Sequence, residues 1–182
     1  MFKLSRNAYA LSVRCQKEGT GYDKVDINTY DAINLSADGP ANSYIVTESG
    51  TFAFSAVKGN SYESVGSVSS VRVLWESFGT GEEPFIGDLV KGSLYEDGTI
   101  YFKTSDVYRE GNAVIAALDE NGIILWSWHL WFTDQPQELT YINGEEQYVM
   151  LDRNIGAIRN NRGTGDEWKE ASGVQYQWGR KD

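Results

Sequence analysis

The stretch Asn112–Phe132 constrains this chain more than any other. Two largely apolar runs, Asn112–Leu118 and Ile123–Phe132, flank Asp119-Glu120-Asn121-Gly122. Asn-Gly between alternating apolar runs is the strongest short hairpin signal, because both residues tolerate the positive φ of a tight hairpin turn. The second run places Trp126, Trp128, Leu130 and Phe132 on one face and Ile123, Leu125, Ser127, His129 and Trp131 on the other. A strand apolar on both faces sits in the middle of a sheet or is covered on both sides. One face is therefore expected to meet an opposing sheet. The other is expected to meet the remaining segments of this chain, or a partner.

Upstream, the same period of two recurs between turn signals. Ser43–Val46 is followed by the turn residues Glu48-Ser49-Gly50. Thr51–Val57 alternates Phe52, Phe54 and Ala56 with polar or small residues, and Ser69–Phe78 alternates Val71, Val73 and Trp75. Leu89–Tyr95 and Thr99–Lys103 flank Glu96-Asp97-Gly98, a second hairpin signal. No uninterrupted helical pattern competes, since Gly111 breaks the stretch Val107–Leu118. Seven short strands between about residues 41 and 133 predict a mainly β chain built on an Ig-like β-sandwich. Aromatic residues make up 13% of the 182, which suits a pleated sheet surface.

Outside this block the pattern is weaker. Ala8–Arg14 alternates Tyr9, Leu11 and Val13 with Ala8, Ala10, Ser12 and Arg14, as a short strand would, and Glu18–Lys24 reads as a linker. After Thr133, Asp134-Gln135-Pro136 breaks the last strand. Gln147–Leu151 and Val174–Trp178 read as short strands around a polar, glycine-rich loop, Asn160–Gly173. The expected organisation is an N-terminal strand and linker over 1–32, the sandwich over 33–134, and a loop-rich segment over 135–182.

The formal net charge of −10 disfavours nucleic acid and anionic membrane surfaces as partners, since both need a surplus of Lys and Arg. No run reaches the roughly 18 apolar residues of a membrane span, and residues 1–15 lack the apolar core of a signal peptide. Cys15 is the single cysteine, so no disulfide forms within the chain.

Catalytic constellations are thin. His129 is the single histidine, so a zinc site or a Ser–His–Asp triad would have to use it, and no second His or Cys stands at ligand spacing. The carboxylate pairs Glu82-Glu83, Asp119-Glu120, Glu145-Glu146 and Asp166-Glu167 read as solvated turn charges rather than a glycosidase pair. Gly79-Thr80-Gly81 and Gly163-Thr164-Gly165 lack the Gly-Lys-Ser/Thr of a phosphate cradle. No enzyme activity, metal or cofactor is expected. The candidate ligand-binding residues are Trp126, Trp128, His129 and Trp131, whose aromatic faces suit stacking on a sugar ring. Core packing is the competing reading for Trp126 and Trp128. Trp131, on the opposite face near the strand end, is the one expected to be exposed.

Ala41–Phe54 (ANSYIVTESGTFAF) and Gly111–Trp131 (GNAVIAALDENGIILWSWHLW) resemble β-sandwich modules in surface proteins of Bacteroides-type gut bacteria, among them fimbrillin-like adhesins. Tyr148–Ala157 (YVMLDRNIGA) and Tyr176–Asp182 (YQWGRKD) resemble the opening of the Fibrobacter succinogenes major paralogous domain, and Ala8–Cys15 (AYALSVRC) its closing strand. That domain is related to the C-type-lectin-like fold. Here the closing piece precedes the opening piece, and the middle of such a domain is missing. The resemblance implies a small additional β/loop element formed by the two ends. It also implies a non-enzymatic cell-surface adhesion or pilus-assembly module on the bacterial outer surface. Its partners would be other protein subunits or a host or glycan ligand, with homo-oligomers forming through terminal strands. The alternative is a carbohydrate-binding module of a surface glycan-utilisation protein.

Overall fold

The computed structural model describes residues 25–80, 84–161 and 163–175. Two four-stranded sheets pack face to face. One has the order β1 (Ile33–Asn34), β3 (Thr51–Ser55), β6 (Thr99–Thr104), β5 (Val90–Glu96). The other has the order β2 (Ser43–Val46), β8 (Ile124–Phe132), β7 (Gly111–Leu118), β4 (Ser70–Ser77). The seven strands read from alternation are β2 to β8. The orders β3-β6-β5 and β4-β7-β8 are those of B-E-D and C-F-G in an Ig-like sandwich. β2 joins the free side of β8 in parallel, from Ser43 opposite His129 to Val46 opposite Phe132. That pairing makes β8 an interior strand, as its two apolar faces require.

The turns follow the residues. Asp97 and Gly98 both take positive φ, 46° and 80°, the conformation that lets a two-residue turn match the twist of β5 and β6. Between the sheets lie Phe52, Phe54, Ile100, Phe102, Ile115, Trp128, Leu130 and Phe132, all buried. Phe54 is central: its ring is 4.8 Å from Tyr44 and 5.3 Å from Trp128, in tilted contacts.

β4 and β5 belong to different sheets, and one carboxylate stitches the crossover between them. Glu76 accepts from the backbone N–H of Gly87 (3.2 Å), Leu89 (2.9 Å) and Val90 (2.9 Å). Burial pushes this carboxyl up, while the three N–H donors pull it down.

The chain then folds a third layer. β9 (Glu138–Asn143) and β10 (Glu146–Leu151) form an antiparallel hairpin. A strap over 152–158 returns to the outer face of β7 and β8, and a short helix, α1 (Trp168–Ser172), follows. β9 was not expected, and α1 replaces part of the expected loop over 160–173. Val174 and Gln175 are not in a strand, so the expected final strand does not begin there. The expected strand Ala8–Arg14, the linker Glu18–Lys24, Cys15, Glu82-Glu83 and Tyr176–Asp182 lie outside the described residues, and of the unit expected over 1–32 only 25–32 are described.

Candidate interaction surface

The expected ligand-binding cluster is largely enclosed. Trp128 lies in the core, and its indole N–H donates to the Val57 carbonyl at 3.1 Å. Trp126 packs at the rim of that core and donates to Asn42 Oδ1 at 3.1 Å. Trp131 is only 2% exposed, which corrects the expectation that it faces solvent. Its indole N–H donates to the carbonyl of Ala157 at 3.0 Å, in the strap that covers it.

His129 sits on the same outer face, in a chain of hydrogen bonds that decides its tautomer. Asn112 Nδ2 donates to the Gly156 carbonyl at 2.9 Å, so Asn112 Oδ1 faces His129 as an acceptor. His129 Nε2 therefore carries the hydrogen and donates to that oxygen at 2.8 Å. Nδ1 then accepts from the Ser43 hydroxyl at 2.8 Å. The ring is neutral, and burial pulls its pKa down to about 4. One imidazole thus joins β2, β7 and the strap. The ring is buried, at 7% exposure, and both of its nitrogens are bonded within the fold.

The strap has further anchors. Gly156 takes φ +82°, and a Cβ there would stand 2.3 Å from Val174 Cγ2 and 2.9 Å from Asn112 Oδ1. Arg153 is buried beside Asp152: its Nε and Nη2 donate to the two Asp152 oxygens at 2.9 and 3.1 Å. Arg153 Nη1 also reaches the Thr133 hydroxyl at 3.1 Å and pairs with Asp134 at the end of β8. The guanidinium holds both carboxyls below their usual range. Beyond the strap, Arg159 pairs with Glu170 of α1, and Val174 N–H donates to the Ile155 carbonyl at 2.9 Å. The segment after β8 is therefore bound to the sandwich by directed bonds.

The hairpin β9–β10 is the opposite case. Every one of its residues is exposed, although it is rich in large apolar side chains. Tyr141 lies directly across from Tyr148, and Leu139 across from Met150, so these four share one face. They are 52%, 49%, 39% and 59% exposed. Ile142 and Val149 stand on the other face, 76% and 53% exposed. The hairpin is a two-stranded sheet, and among the described residues neither outer edge is paired. An isolated two-stranded hairpin is marginal in water, and an unpaired apolar edge is a template for another strand. Sequence reading found Gln147–Leu151 but not its partner strand: Glu138–Asn143 follows closely on Pro136, and the signal that could have revealed it is Asn143-Gly144 at the turn, where Gly144 takes φ +65°.

Among the described residues, no three His, Cys, Asp or Glu side chains gather as a metal-binding group. No family model matches the chain, and neither the curated proteins nor the solved structures contain a match.

Proposed function

We propose that this chain is a non-enzymatic adhesion or fibre-assembly module of a bacterial outer surface, in which the sandwich is the scaffold and the β9–β10 hairpin is the contact element. One observation carries the reading: a fully exposed hairpin with large apolar side chains on both faces, neither of whose edges is paired among the described residues. Strand addition to such an edge supplies main-chain hydrogen bonds for affinity and side-chain pockets for selectivity. Placement on the outer surface rests on the resemblance of Ala41–Phe54 and Gly111–Trp131 to surface-protein modules. Light-scattering mass across a concentration series tests the assembly role. A mass that rises with concentration supports it, and a constant monomer mass contradicts it.

A second reading, a carbohydrate-binding module, has one observation in its favour. Tyr141 and Tyr148 form an exposed aromatic pair of the kind that stacks on sugar rings, in place of the enclosed Trp128 and Trp131. Tyrosine fluorescence that stays constant across a broad glycan panel would count against it.

A further inference from the structure

The dipeptide Asn-Gly occurs twice in the chain, at Asn121-Gly122 and Asn143-Gly144, and both lie in exposed hairpin turns. Asn before Gly is chemically labile, because glycine has no Cβ to keep its backbone nitrogen away from the asparagine side chain. The reaction needs that nitrogen to lose its proton and the turn to swing it onto Asn Cγ. A Cβ built on either glycine would meet nothing within 4 Å, so open space does not separate the two sites. Their hydrogen bonds do. At the first, Gly122 N–H donates to the Asp119 carbonyl at 3.1 Å. Asp119 Oδ1 also accepts from the N–H of Asn121 at 2.9 Å and of Ile123 at 2.8 Å. This turn joins β7 and β8, two interior strands of their sheet. At the second, Asn143 pairs with Glu146, so Gly144-Glu145 is the whole loop. Gly144 takes φ +65°, and its N–H makes no hydrogen bond among the described residues. The hairpin that it closes is two-stranded and exposed throughout, so it opens at little cost.

We propose that Asn143 is a site of spontaneous covalent modification, a deamidation that the β9–β10 turn permits and the Asn121 turn resists. Hydroxide takes the Gly144 N–H proton, and the nitrogen attacks Asn143 Cγ. The side-chain nitrogen leaves as ammonia, and a cyclic imide joins the two residues. Water then opens the ring. Attack at Cγ gives aspartate, and attack at the main-chain carbonyl gives isoaspartate, whose chain runs through the former side chain. A water enters and an ammonia leaves, with no oxidant or reductant. Either product sets a carboxylate beside Glu145 and Glu146. Isoaspartate also lengthens the main chain inside the closing pair Asn143–Glu146, which upsets the register of β9 on β10. The conversion stands whether or not the hairpin is the contact element.

The test incubates the intact chain in mildly alkaline buffer. Peptide mass spectrometry, with fragmentation to assign the residue, follows conversion at Asn143 and Asn121 in the same sample. The expected result is conversion about fivefold or more faster at Asn143, the factor that breaking one ordinary hydrogen bond adds to a barrier. In denaturant the two rates converge. As product accumulates, amide signals of residues 138–151 shift while those of β3 and β6 stay in place, and an Asn143→Gln variant shows no such shift over the same period. Equal rates in the folded chain, or a slower rate at Asn143, overturn the proposal. A difference that persists unchanged in denaturant also overturns it, since local sequence rather than the fold would then set the rates.

Discussion

His129 and Asn112 face each other across β7 and β8 at 2.8 Å, and Asn112 passes the contact on to the Gly156 carbonyl at 2.9 Å. A neutral imidazole thereby carries part of the attachment between the sandwich and the strap. Its folded pKa, about 4, lies below the roughly 6.5 of an unfolded histidine. The unfolded chain therefore binds a proton first as pH falls. The stabilisation is complete above pH 6.5 and is lost as pH falls from there towards 4. This is the single histidine. Folding stability should drop by about 2 kcal/mol between pH 7.5 and pH 5. Denaturant titrations should show that slope in the wild type and its absence in His129→Gln. A pH-independent wild-type midpoint over this range would mean that the ring protonates freely in the fold.

Trp131 should behave as a core residue. Trp131→Ala removes a buried indole and leaves the Ala157 carbonyl without its donor, a loss of about 3–5 kcal/mol by comparison with other large-to-small core changes. Trp128→Ala should cost a similar amount. Denaturant unfolding of the two variants measures this, and a wild-type midpoint for Trp131→Ala would mean that the strap does not cover it.

Gly156→Ala should loosen the strap while the sandwich survives. The substitution forces a side chain into a left-handed backbone and towards Val174 and Asn112, a strain of about 1–3 kcal/mol. Hydrogen exchange at the Trp131 indole should accelerate, while amides of β3 and β6 keep their protection.

Glu76→Ala should destabilise the crossover between β4 and β5. Three backbone N–H groups lose a charged acceptor, and bonds of that kind contribute about 1.5–3 kcal/mol each when buried. The loss should exceed that of Glu76→Gln, which keeps one acceptor oxygen. Equal midpoints for the two variants would contradict the role given to the carboxylate.

The strands of the sandwich were legible because alternation and turn chemistry agree. Asp97-Gly98 and Asn121-Gly122 mark the hairpins, and Val71, Val73, Trp128 and Leu130 keep a strict period of two. The two apolar faces of β8 correctly implied a covered, interior strand. What covers the outer face was not legible. The strap 152–158 has no period, and its hold depends on Arg153, Gly156 and two carbonyls that no spacing rule connects to Asn112 or Trp131. Trp131 was therefore misplaced at the surface. The hairpin was half legible: the apolar run Tyr148–Leu151 marked β10, while β9, close behind Pro136, was passed over although Asn143-Gly144 offers a turn signal between them. Its exposure is a tertiary fact that composition does not carry.

The most direct test of the account is sedimentation of the full chain beside a Tyr141→Lys, Tyr148→Lys variant. Both side chains are exposed and lie outside the sandwich core, so the variant should unfold at the wild-type midpoint. The account predicts that the wild type associates as concentration rises and that the variant remains a monomer over the same range. Wild type and variant associating alike would show that the hairpin is not the contact element.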